Sequence, residues 1–479
     1  MKIRFALFYI SIFLNFNSLS SGFAQTERKT AVSIEGEKFH INGKPIFEGR
    51  VWNTAEGEAF PIEGLLFNSR MVQGVFDDLN KDTRGQWAYP DTQEWDPDRN
   101  TDEFIQAMPA WYAHGLMGFT LNLQGGCPFG YCNNFPWDNS AFNPDGSLRD
   151  SFMHRTARIL DRADELGMVV ILGLFYFGED QNLKDERAVK NAVRNAVTWV
   201  LEKGYSNVII EINNECSVGA YDHDILKCDR VPELIMLAKE QEKDGRSLYV
   251  STSLAGGHVP SDKIVEASDF ILIHGNGVDD PNRIAEISEE IRRKNVYSPK
   301  PLVNNEDDIP WRNPNQGWED QGNNFVASVR SYTGWGFFDF RLPEENELYN
   351  QGYQSIPVNW QLSSDRKRDF FKLLAEITGS EGTPYLDLKF SEKIGESIQV
   401  EMENVPVAMV IQSFEMIINN QVVATYSELP KELSTKNLEN EFLSSTHWIK
   451  VRLIYMTKGQ EVMVESPYYK NPWWPYGGF

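Results

Sequence analysis

One alternation runs through most of the chain and limits what it can fold into. An amphipathic stretch closed by glycine or a polar turn is followed each time by an apolar run of strand length. "TDEFIQAMPAWYAHG" has helical periodicity, with Thr101 placed as a cap and Gly115 as a stop, and leads into "LMGFTLNLQGG". "LRDSFMHRTARILDRADELG" feeds "MVVILGLFYF", and "ERAVKNAVRNAVTWVLEKG" feeds "NVIIEINNEC". The pattern continues through "LYVSTSLAGG", "DFILIHGNG", "PLVNNEDD" and "GWGFFDFRL". With a strand at 45–52 counted first, eight strands are separated by helices. Their nearly continuous apolar character marks a parallel sheet covered on both faces. Eight such units close a (β/α)8 barrel, expected over residues 25–383. The alternative is an open doubly wound sheet, which needs an edge and a crossover crevice, and no glycine fingerprint follows the first strand.

Two segments break the alternation. Residues 53–100 form a long insertion dense in Asp, Trp, Gly and Pro. From about residue 384 the period changes to two, in "ESIQVEME", "AMVIQSFEMIINNQVVATY" and "HWIKVRLIYMTKGQEVMVESPYY", with Asn419-Asn420 and Lys458-Gly459 as turns. Residues 384–479 therefore read as a small antiparallel β-sandwich, more a buttress for the barrel than a sugar-binding module. The fold class is α/β, a barrel with this sandwich at its C-terminal end.

Residues 1–24 carry Lys2 and Arg4, an apolar run, then Gly22 and Ala24, the pattern of a cleaved export signal too short to span a bilayer. The expected location is secreted or periplasmic, and no later run is long enough to cross a membrane. The chain has 46 Lys and Arg against 69 Asp and Glu, a net charge of −23. That field disfavours nucleic acid and anionic membranes as partners. In an oxidising compartment Cys127 pairs with Cys132 and Cys216 with Cys228, as local staples that spacing alone leaves open. No cofactor and no metal site is expected: the seven His show no His-x-His pair after the first strand. No phosphate-cradling glycine loop and no serine elbow occur either.

In a barrel the carboxyl ends of all strands meet at one mouth. "IIEINNEC" ends the fourth strand on Asn213, Asn214 and Glu215, and "PLVNNEDD" ends the seventh on Glu306. One acid at a strand end is commonly a cap or a solvated loop residue. Two in register, each preceded by Asn and each beyond an apolar run, fit the paired acids of a glycosidase, one protonated and one ionised. Glu211 alternates in phase with Glu215 and points into the barrel, as a structural carboxylate or a partner that tunes Glu215. Asp307 and Asp308 read as loop residues, with either becoming the functional acid if the register is one residue off.

At these residues the chain resembles the clan of retaining glycoside hydrolases built on the eightfold barrel, the cellulase and mannanase-like superfamily. The likeness covers roughly residues 38–380 and rests on Asn214-Glu215 in "NNEC" and Glu306 in "NNEDD". It implies Glu215 as acid/base, Glu306 as nucleophile and Asn214 as the partner of a substrate 2-hydroxyl. It also implies His274 in "LIHGNG" near the acids and Trp335 in "GWGFF" under the scissile sugar, although either also reads as plain packing. The clan's arginine near the early strands is absent from "FTLNLQGG" and "VILGLFYFG". Arg50 or Arg70 is left for that role, Arg50 being favoured. Asn276 stands where the clan has a Tyr, so the nucleophile's hydroxyl partner is missing or comes from elsewhere. No family within the clan is assigned.

The loops add aromatics and amides suited to an uncharged polyhydroxy ligand. Trp52, Trp87, Tyr89 and Trp95 lie in or beside the insertion, Asn122, Gln124, Phe129, Tyr131 and Trp137 follow strand two, and Trp311 and Trp318 follow Glu306. Trp52, Trp137 and Trp311, with Asn214, His274, Asn276, Trp335 and Arg50, form the expected substrate-binding set. The expectation is a carbohydrate-cleaving enzyme acting on β-linked O-glycosidic bonds of a poly- or oligosaccharide. A catalytically silent carbohydrate-binding barrel is the alternative. The oligomeric state is not legible.

Overall fold

The computed structural model describes residues 28–129, 132, 134–313, 316–317, 322–341, 351–392, 397–433 and 448–472. The expectations for residues 1–24, Tyr131, Trp318 and the side chain of Trp311 lie outside the described residues. Eight parallel strands, each followed by a helix, make up the barrel. In order they are Asn68–Ser69, Gly118–Asn122, Val169–Phe175, Val208–Asn213, Val250–Ser251, Ile271–His274, Leu302–Asp307 and Gly334–Phe337. Strands two to five form one parallel ladder, and six, seven, eight and one form another. The two halves join where Arg70 bridges Thr120 in parallel and where Asp269 N donates to Val250 O at 3.0 Å.

The first strand is not the one expected. Residues 45–52 hold only short antiparallel pieces: Lys44–Pro45 pairs with Lys38–Ile41, and Val51–Asn53 pairs with Ala59–Pro61. The barrel is closed instead by Asn68 and Ser69 against Gly336 and Phe337 of strand eight. The N-terminal hairpin becomes a plug. Its Phe39 and Ile46 pack with Leu66, Val169, Ile171, Ile209, Phe270, Leu272 and Val303, which fill the lower barrel with apolar side chains. Asn42-Gly43 is the expected tight turn, both residues having positive φ.

The helix after strand one, Pro97–Ala113, starts earlier than expected. Asp96, not Thr101, caps it, accepting from Asp98 N and Arg99 N, with proline at the first helical position. Thr101 is buried and its hydroxyl donates to Gly74 O at 2.8 Å. Gly167 closes the helix Asp150–Leu166 in the left-handed conformation, as the pattern anticipates.

The period-two region forms two antiparallel sheets. One contains Tyr385–Phe390, Ile398–Glu403 and Glu432–Leu433; the other contains Val410–Ile418, Gln421–Tyr426, Trp448–Thr457, Gln460–Glu465 and Tyr469–Lys470. They share a core with the barrel's outer layer through Leu386, Phe414, Leu453 and Val464. His114, at the end of the helix Pro97–Ala113, fastens the two parts. Its Nδ1–H faces Ala110 O at 2.8 Å, and its Nε2 accepts from Tyr385 OH at 2.9 Å and Thr383 N at 3.2 Å. Burial lowers its pKa to about 4, which keeps that acceptor free of a proton. Arg368, on the helix Asp365–Thr378, donates from Nη1 to both Asp387 oxygens, at 2.9 and 3.0 Å, and from Nη2 to Leu386 O at 2.8 Å.

Candidate active site

Strand four sends alternate side chains inward, and its fully buried Glu211 shares a cross-strand row with Asn122, Gly173 and Ser251. Asn122 packs directly over Gly173, where an added Cβ would lie 2.2 Å from its Oδ1 and force that side chain to shift. The upper barrel is therefore polar where the lower barrel is apolar, and the strand-end acids stand on this polar layer.

Glu215 follows at φ 54, a left-handed conformation uncommon for a residue with a side chain. Its backbone N–H donates to Ser253 Oγ at 3.0 Å. Its carboxylate Oε1 lies 2.9 Å from His274 Nδ1, and the same nitrogen is 3.7 Å from Glu306 Oε2. His274 stands opposite Glu306 in the ladder of strands six and seven, next to an irregularity after Ile273. One oxygen of each carboxylate and a nitrogen of His274 all lie within 4.8 Å of one another. The two acids thus share one mouth.

Arg70 organises this centre. Its guanidinium forms an ion pair with Glu306 through Nε, donates from Nη2 to Asn214 Oδ1 at 2.7 Å and lies 3.8 Å from Glu211 through Nη1. The other Glu306 oxygen accepts from Asn276 Nδ2, so Asn276 occupies the nucleophile-side position although it brings no hydroxyl. Asn214 is further held by the Tyr221 hydroxyl, which donates to its carbonyl oxygen. Glu306 is 3% exposed.

Burial pushes the Glu215 pKa up to about 7, against the lowering influence of Arg70 and His258. Burial raises Glu306 as well and the Glu215 charge adds to it, while Arg70, His274 and the Asn276 amide act against the rise. Burial lowers the pKa of His274 and favours a neutral ring. Tyr176, just beyond strand three, is buried and has its pKa raised by burial and then by the Glu306 charge.

Several expected binding residues sit elsewhere. Arg50 is not the arginine at the nucleophile: its Nε and Nη2 donate to Ile377 O at 3.2 Å and Glu376 O at 3.0 Å. Trp52 donates to Glu376 Oε1 at 3.2 Å and is buried. Both therefore touch the last turn of the helix Asp365–Thr378. Barrel helices run antiparallel to their strands, so that turn lies at the end opposite the mouth.

Trp335 is 0% exposed and stacks on Phe325 at 4.7 Å, which leaves no face for a sugar. Its Nε1 donates to Asp307 Oδ2 at 3.1 Å, an oxygen that also accepts from Asn324 Nδ2 at 3.0 Å. Asp307 is thus a buried anchor rather than a loop acid, and burial raises its pKa to about 7. Trp137 is buried against Trp87, Phe129 and Phe135 and donates to Glu179 Oε1 at 3.1 Å. Trp87, Tyr89 and Trp95 of the insertion likewise pack inward, Tyr89 stacking on Trp95 at 5.5 Å. Both expected disulfides, Cys127–Cys132 and Cys216–Cys228, are present.

Sequence reasoning undervalued Arg70, and it missed Ser253, Tyr176 and His258. A usable signal existed for Arg70: "EGLLFNSR" is another short apolar run with a polar end, like the strands bearing the acids. Glu215, His274 and Glu306 are also the group, among the described residues, whose ligand atoms converge as a metal site requires. A cation there would face the Arg70 guanidinium already paired with Glu306, so the donor set suits proton chemistry better.

No protein-family model matches the chain, and no curated protein matches it in sequence. Among solved structures, an exo-β-1,4-mannosidase from Opitutaceae bacterium strain TAV5 is 13% identical, with a TM-score of 0.43, over 69% of this chain and 61% of that one. An endo-1,4-β-mannanase from Rhizomucor miehei is 12% identical, TM-score 0.45, over 73% of this chain and 99% of that one. A glycoside hydrolase family 5 protein from Bacteroides vulgatus ATCC 8482 is 12% identical, TM-score 0.41, over 88% and 94%. At such identities and TM-scores none of these structures assigns a family or a role to the chain.

Proposed function

We propose that the protein is an exported glycoside hydrolase that cleaves O-glycosidic bonds of a poly- or oligosaccharide with retention of configuration. The observation that carries this reading is the approach of Glu215 and Glu306 oxygens to within 4.8 Å at one barrel mouth. Retaining pairs hold their carboxyl groups about 5–5.5 Å apart and inverting pairs roughly 6.5–9.5 Å, and so close an approach of two of their oxygens favours the retaining arrangement.

In the first step Glu306 attacks the anomeric carbon while Glu215 gives its proton to the departing oxygen. Arg70 and the Asn276 amide oppose the effect of burial on Glu306 and orient its carboxylate for attack, and His274 holds Glu215 beside it. Once Glu306 is esterified its negative charge is gone. Glu215, which lost its proton to the leaving group, then accepts one from the attacking water, and the sugar is freed. Asn214, fixed by Arg70 and Tyr221, leaves its Nδ2 without a partner in the structure and is the donor offered to a substrate hydroxyl. The leader pattern of residues 1–24 and the two disulfides support export, and no helix among the described residues is long and apolar enough to cross a membrane.

The test is a screen of the purified protein on plant and algal polysaccharides and aryl β-glycosides, with NMR of the first-formed anomer. Release of a retained product that disappears in Glu306→Gln supports the reading. Turnover unaffected by replacing either acid, or a first product of inverted configuration, overturns it.

A further inference from the structure

We infer that Ser253 and the Cys216–Cys228 disulfide are positioning residues for Glu215, holding a backbone conformation that the acid would not keep alone. The inference rests on reading Glu215 as the acid/base.

Glu215 has a positive φ of 54, where the side chain of an L-residue crowds its own backbone and glycine or asparagine is usual. A glutamate stays there only if its surroundings over-determine it. Released, it would relax to an extended or right-handed conformation. Either would swing the carboxyl away from His274 Nδ1, now 2.9 Å from Oε1.

The restraints converge on two adjacent residues. Glu215 N donates to Ser253 Oγ at 3.0 Å, and Cys216 N donates to Ser253 O at 3.0 Å, so one residue beyond strand five grips both peptide groups. Val218 N closes the turn on Glu215 O at 2.9 Å. The disulfide then ties Cys216 to Cys228, whose N–H returns to Cys216 O at 3.2 Å. The far end of that tie is itself fixed, because Asn213 Nδ2 donates to Leu226 O at 2.8 Å and Ile225 and Leu226 are fully buried. A loop-closing staple could sit at any pair of positions in this segment. This one begins at the residue directly after the strained acid and ends where strand four already grips the loop.

The test uses Cys216→Ser/Cys228→Ser and, should that protein fold poorly, Ser253→Ala. Glutamate Cδ resonances are titrated by ¹³C NMR in wild type and variants, the Glu215 signal being the one lost in Glu215→Gln. The expected result is that Glu215 titrates near 7 in the wild type and moves back toward ordinary glutamate in the variants, having left its buried place. In parallel, kcat/KM is compared on two aryl glycosides of one sugar. The poor leaving group should lose at least about tenfold more than the excellent one, because only the former depends on the about 10²–10⁴-fold that a positioned acid supplies. An unchanged Glu215 titration with equal losses on both substrates overturns the inference and leaves the bridge as a plain staple. Inactivity of the wild type on every glycoside would instead count against the proposed function, while the titration still decides the positioning.

Discussion

Arg70 and Glu306 form a buried ion pair, the arginine 1% exposed, that spans from the first barrel strand to the seventh. A guanidinium has enough donors in one plane to hold Glu306 and Asn214 and still face Glu211, which a lysine ammonium cannot reproduce. Arg70→Met leaves Glu306 and Glu211 buried without their cation and is expected to destabilise the protein by about 3–5 kcal/mol. Arg70→Lys should fold yet lose about 10²-fold in kcat/KM. Chemical denaturation and steady-state kinetics on the same preparations separate the two effects.

The pH dependence follows from Glu215. Its folded pKa is raised to about 7 by burial, so the proton needed in the first step is present below that pH and lost above it. Activity should fall along an alkaline limb near pH 7, and this limb should be absent from Glu215→Gln. The stability sign is the reverse of the usual paired carboxylate. The folded state holds this proton more tightly than the unfolded chain does. The group therefore destabilises the fold progressively as pH rises from its unfolded value to about 7, and fully above it. Glu215→Gln should accordingly gain stability relative to wild type between those limits, a difference that denaturant midpoints at several pH values can measure.

Separate steps should fail in the two acid variants. Glu306→Gln removes the nucleophile and should abolish turnover of every glycoside. Glu215→Gln should spare the first step on substrates with excellent leaving groups and stall the second, giving a burst and a trapped glycosyl-enzyme visible by mass spectrometry. Azide, which attacks without a general base, should speed its release. No burst together with no azide effect would count against the assignment of roles.

Arg50 serves as a control for position. It donates to carbonyls in the last turn of the helix Asp365–Thr378, where a cation complements the helix dipole. Arg50→Ala should cost about 1–2 kcal/mol of stability and leave kcat and KM unchanged. A large loss of activity without loss of stability would place Arg50 in the site after all.

The alternation of helix and strand was readable because each strand is buried on both faces, which writes a local apolar run closed by a turn. Glu215 and Glu306 were readable for the same reason, as polar ends to such runs, while His274 and Asn276 were singled out only by the resemblance to the hydrolase clan. Strand one escaped because its ladder is only Asn68 and Ser69, and its partner in strand eight lies far along the chain. With it went the choice between Arg50 and Arg70, two arginines that local pattern cannot tell apart. Trp335, Trp137 and Trp52 carry the chemistry of sugar platforms, yet whether an aromatic face meets solvent or Phe325 depends on what packs over it. Periodicity and turn chemistry are properties of neighbours in the chain, so residue order alone carries them. Barrel closure, the grip of Arg70 on Glu306 and Asn214, and the covering of the tryptophans join residues distant in the chain, and only packing in three dimensions decides them.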